Sequence, residues 1–196
     1  MSRTLILAGA LGAGLAVYFV FALYVLPTSY QDSIMPQRPE AVITSVEFSA
    51  KEIALGQKFV ISVTAENRGQ EADMQIVSMG FPNLTGGDRA TITSHDFRQT
   101  PLRVEPGDPV GSSYLGPQEN LTAAYPSIEA FSRPWENGKS YTISVEVEPE
   151  AEGRFLVFTK SIAFPHAWDM AHYPREGTLD YQNEFVQINS VNVTNP

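Results

Sequence analysis

Leu5 to Leu26 is a run of 22 uncharged, mostly apolar residues, against the ~20 a helix needs to cross a ~30 Å hydrocarbon core. A secretory signal peptide has an apolar core of only ~7–15 residues followed by a small-residue cleavage site. This run instead continues through Val17-Tyr18-Phe19-Val20-Phe21 to Leu26 and meets Pro27, whose ring blocks further helix. The pattern predicts an uncleaved transmembrane helix over residues 4–26. A three-residue stub holding Arg3 precedes it, so the positive-inside rule keeps the stub cytoplasmic and exports the rest.

Charge divides the chain in the same place. All 22 Asp and Glu lie beyond the apolar run, and the chain after Arg3 carries a net −10. Nucleic acid binding, which needs clustered Lys and Arg, is excluded as a function. There is no cysteine, which excludes a disulfide scaffold, a Cys-ligated metal centre and a cysteine nucleophile.

One face of the apolar run is made of small residues. Ala8, Gly12 and Ala16 repeat every four positions, the spacing that lets a second helix approach closely. Expected partners are therefore membrane lipid and other membrane-protein subunits or envelope proteins.

Residues 27–40, with Pro27, Pro36 and Pro39, read as a stalk. From residue 41 to 196, alternation at period two dominates and predicts an immunoglobulin-like antiparallel β-sandwich outside the membrane. Strands are expected at 42–48, 58–66, 75–81, 91–97, 141–147, 154–164 and 185–193. In the second of these Phe59, Ile61, Val63 and Ala65 share one face; in the fifth Tyr141, Ile143, Val145 and Val147 do. The last slips phase, which predicts a bulge near Asn189. Residues 99–138 contain six of the 14 prolines and read as an insertion of edge strands and long loops. The acidic run Glu146 to Glu152 reads as a solvated edge that discourages pairing between sheets.

Three features bear on chemistry. His166, Asp169 and His172 have two imidazoles and a carboxylate at spacing three, a ligand set known for zinc and non-haem iron. Pro165 and Pro174 flank them and favour a plain loop. Asn83-Leu84-Thr85, Asn120-Leu121-Thr122 and Asn192-Val193-Thr194 are N-glycosylation sequons. No Gly-x-Ser-x-Gly, Ser-x-x-Lys or phosphate-cradling loop is present, so no catalytic trio and no cofactor are predicted.

Ile53 to Gln57, followed by Phe59 to Thr64 and Glu66-Asn67-Arg68-Gly69, resembles the opening of CARDB-type immunoglobulin-like modules. There, a Gly-containing turn leads into an alternating strand that ends in Asn-x-Gly. Asn137 to Val145 and Glu152-Gly153-Arg154-Phe155 are similar to the later hairpin of that family. The resemblance covers about half of the exported part and implies a non-catalytic, extracytoplasmic binding or spacer module. The expected function is a membrane-anchored binding or structural protein, either a cell-surface module or an accessory subunit of a membrane complex. The alternative is a metal-binding protein or metal-dependent enzyme built on the 166–172 cluster. The layout is also similar in outline to the exported subunit of copper membrane monooxygenases, but the late His-x-His of that subunit is absent.

Overall fold

In the strand Phe59–Asn67, buried residues alternate strictly with half-exposed ones along its whole length, and this alternation organises everything around it. The computed structural model describes residues 17–19, 38–109, 122–165, 172–180 and 184–196. The chain divides into two units, Met1–Gln37 and Arg38–Pro196. Within the first, Val17–Phe19 are helical; the rest of the expected 4–26 helix, with Ala8, Gly12 and Ala16, lies outside the described residues. Among those residues no helix is long and apolar enough to cross a membrane.

Among the described residues the second unit contains eleven strands: β1 Ala41–Phe48, β2 Glu52–Ala54, β3 Phe59–Asn67, β4 Met74–Gly80, β5 Ala90–His95, β6 Leu102–Val104, β7 Ser127–Ser132, β8 Ser140–Val147, β9 Gly153–Phe164, β10 Thr178–Leu179 and β11 Phe185–Thr194. One sheet has the order β1-β3-β8-β5; the other runs β10-β11-β9-β4-β7-β6, with β2 paired in parallel to β11. This is an immunoglobulin-like β-sandwich.

The core lies between the sheets. Phe59, Ile61, Val63, Tyr141, Ile143, Val145 and Val147 come from the first sheet and Val77, Met79, Ile128, Phe155, Val157, Val191 and Val193 from the second. The opposite face of the first sheet is wet and polar: Ser62 meets Ser144 at 2.8 Å and Thr64 meets Thr142 at 2.9 Å. Burial on one face with cross-strand hydroxyl pairs on the other is what an antiparallel sheet with one wet side demands.

The structure corrects three expectations. β11 keeps an unbroken register with β9 from Gln187↔Thr159 to Val193↔Gly153, so there is no bulge at Asn189. Its phase breaks because Val186, on the opposite face from Val191, is also buried; Gly177 is flush against the Val186 carbonyl there, where a Cβ would sit 2.2 Å from it. Register shifts occur instead in β1, between Ile43 and Ser45, and in β5, between Ile92 and Ser94. These two are the edges of the first sheet, and bulging an edge makes it a poor template for further pairing.

The acidic run, in contrast, is not at an edge. Glu146 stands on β8, which is flanked by β3 and β5, and pairs with Lys58 at 2.8 Å. Glu148 pairs with Arg89 at 2.5 Å, and Glu150 accepts from the Thr85 hydroxyl. Nor is 99–138 only an insertion, because it supplies β6 and the interior strand β7 of the second sheet. Pro126 and Pro134 fall just outside β7, so proline costs that ladder nothing.

Candidate functional site

β9 changes partners partway along. Its pairing with β11 ends at Thr159↔Gln187, and Ala163 pairs instead with His172 through two backbone hydrogen bonds of 3.1 and 2.8 Å. Between those partners a cleft of about 670 Å3 opens. Its walls are the start of β1 (Ala41–Ile43), β9 from Thr159 to Ile162, the segment His172–Glu176 and Phe185.

His172 joins the two sheets at this point. While its backbone extends the second sheet, its Nδ1 accepts the Ala41 N–H of the first at 3.0 Å. A ring nitrogen that accepts is unprotonated, so the proton of the neutral imidazole is on Nε2. Of the sequence-predicted metal ligands, His172 lines the cleft, whereas His166 and Asp169 lie outside the described residues. Among the described residues no group of three or more His, Asp or Glu is arranged to hold a metal. To ligate a metal, His172 would have to give up either its Nε2 proton or the bond from the Ala41 N–H.

Lys160 gives the cleft its buried charge. It stands on the outer face of the second sheet, in one cross-strand row with Ser78 and Glu129, and forms an ion pair with Glu184. Burial pushes its ammonium below the usual lysine range, and the nearby carboxylates of Glu129 and Asp180 push back. The β10–β11 hairpin is fastened over this face. Tyr125 donates its hydroxyl to Asp180 at 2.5 Å, and the Glu184 N–H donates to Asp180 at 2.9 Å. Tyr125 can lie there because Gly80 has no side chain; a Cβ would sit 2.3 Å from the ring.

The cleft therefore combines an apolar wall (Val42, Ile43, Ile162, Phe185) with a rim of both signs (Glu40, Arg68, Arg175, Glu176). Such a surface is suited to an extended polypeptide segment, with apolar side chains against the wall and charges matched at the rim.

Beside the cleft, the base of the domain is locked by Asn67, which is fully buried. Its Oδ1 accepts the N–H groups of Glu40 and Gly69, both at 3.0 Å. Its Nδ2 donates to the carbonyls of Gln70 and Trp135 at 2.6 and 3.2 Å. The sequence shows Asn67 as the Asn of a strand-ending Asn-x-Gly, and nothing local marks its role as a four-way clamp. Lys160 did leave a signal: on its strand face the neighbours two positions away are Phe158 and Ile162. Of the sequons, Asn83 and Asn192 are exposed, and Asn120 lies outside the described residues.

No family model matches this chain, and no curated protein matches it. Solved structures do. One is the CARDB domain of the PF1109 protein from Pyrococcus furiosus, in complex with di-metal ions, at 10% identity and TM-score 0.39, covering 80% of this chain and 89% of that one. A cohesin module from a Clostridium perfringens family 33 glycoside hydrolase matches at 10% identity and TM-score 0.42, covering 82% and 99%. A β-glucosidase from Listeria innocua matches at 14% identity and TM-score 0.36, covering 81% of this chain but only 16% of the enzyme.

Proposed function

We propose that this protein is a single-pass membrane protein whose sandwich lies outside the membrane. It acts as a binding or structural module, an accessory subunit that docks on a larger membrane complex. The observation that carries the reading is the position of the cleft. Its lining begins at Glu40, two residues after the domain starts at Arg38. Only residues 27–37 separate that point from the apolar run, a tether of at most ~40 Å. A partner reached by the anchor is thus within reach of the cleft. The face of Ala8, Gly12 and Ala16 supplies a second contact, helix to helix.

Purification of the full-length protein from its native membranes in mild detergent tests this. The reading expects a defined set of co-purifying membrane subunits, with recovery reduced by Phe185→Glu in the cleft and by Gly12→Leu in the anchor. A protein that runs alone, or recovery untouched by both substitutions, would sink it.

A further inference from the structure

We propose that the end of the sandwich opposite Arg38 is a glycosylated face, with N-linked glycans on Asn83 and Asn192. The proposal rests on the exported placement of the domain argued above.

Asn83 follows β4, with Leu84 buried beneath it and Thr85 exposed. The Leu156 N–H donates to its Oδ1 at 2.7 Å. This bond fixes the carboxamide and leaves Nδ2, the atom a glycan would occupy, on the opposite side of the group. Asn192 is exposed on β11, with Val191 and Val193 buried on either side of it. It stands opposite Arg154 of β9. Leu156 and Arg154 are two positions apart on one strand, so the two asparagines flank the same short stretch of β9.

Glycosylation forms a bond between Nδ2 and the anomeric carbon of a sugar activated as a polyisoprenyl phosphate ester. The bond from that carbon to the phosphate oxygen breaks, the phosphate leaves with the electron pair, and one amide proton passes to solvent. Oδ1 takes no part, so the Leu156 bond survives modification. Asn67 is the contrast: its Nδ2 donates to two carbonyls inside the domain, and its sequence is no sequon.

The fold also orders the events. The Thr85 hydroxyl donates to Glu150 at 2.9 Å and the Thr194 hydroxyl to the Ile53 carbonyl at 3.3 Å. Asn192 itself lies between β9 and β2. With both sequon threonines engaged in the fold and Asn192 held in the sheet, transfer at both sites precedes completion of the fold. Bulky, hydrated sugars at this end leave the cleft at the other end clear.

Peptide mapping by mass spectrometry of the full-length protein from its native membranes decides the matter. The expected result is a hexose-based mass increment on the peptides containing Asn83 and Asn192. Asn83→Gln and Asn192→Gln should each remove one increment, as should Thr85→Val and Thr194→Val, which keep the asparagine. Both peptides at their sequence mass would overturn the proposal. Protease shaving of intact cells separates the causes: unmodified peptides in protein that the protease removes overturn the glycans alone. Unmodified peptides in protected protein overturn export as well.

Discussion

The two ends of the sandwich are held by different physics. At the end where the chain enters, contacts are buried and directional: Asn67 spends all four of its hydrogen-bonding positions inside the protein. Beside it Trp135 is fully buried. Its ring is edge-on to Phe97 and Tyr141 at 5.6 and 4.7 Å, and its Nε1–H donates to the Lys139 carbonyl at 2.7 Å. The far end is closed by ion pairs in water, Lys58 with Glu146 and Arg89 with Glu148. A buried polar group that loses its partner pays the full cost of desolvation, whereas exposed pairs are screened and contribute little. The directional polar contacts are thus concentrated beside the cleft, and the ion pairs of the acidic end contribute little to stability.

That contrast can be broken in graded steps. Trp135→Ala should cost about 3–5 kcal/mol, by removing a large core side chain and its cavity contacts, seen as a large drop in the urea midpoint. Asn67→Ala leaves two N–H groups and two carbonyls without partners and should cost about 2–4 kcal/mol by the same measurement. Gly80→Ala pushes a methyl into the Tyr125 ring and should cost about 1–3 kcal/mol. In that variant amide exchange should rise in the β10–β11 hairpin, which loses its Tyr125–Asp180 fastening.

A smaller effect should appear with pH. An unfolded lysine titrates near 10.5, while burial holds Lys160 lower in the fold. Between those values the unfolded chain binds the proton and the native one does not, so stability rises with pH through that window. As pH falls below the folded value, charging Lys160 inside the cluster with Glu129, Asp180 and Glu184 removes that gain. Lys160→Met should flatten the alkaline rise, read from urea midpoints measured at several pH values below 10.5. Smallest of all, Lys58→Met should leave the melting temperature within its reproducibility, because Lys58 is fully exposed.

The same contrast explains how much was legible in the sequence. β3 and β8 could be read because one face is wet and the other dry, which writes period two into the residues. β4 carries no such alternation, since all seven of its residues are buried. On its outer side Met74 and Ile76 pack with Phe164, which in turn meets the Tyr173 ring at 5.7 Å. β11 loses its period for a related reason: apolar residues are buried on both of its faces, with no inserted residue. β2 is three residues long and pairs in parallel with a strand some 140 positions away, so no local pattern marks it. The cleft is assembled from residues 40–43, 68, 159–162, 172–176, 184, 185 and 187, and no single stretch of sequence announces it. The spacing of His166, Asp169 and His172 was visible, but not that the fold uses His172 Nδ1 to accept the Ala41 N–H.

The central claim is that the end bearing the cleft is the docking end. A photo-reactive amino acid placed at Phe185 in one variant and at Lys58 in another, in the full-length protein in native membranes, tests it directly. The account predicts cross-links from position 185 to a defined membrane partner and none from position 58. Cross-links from position 58 to that partner, or none from position 185, would contradict it.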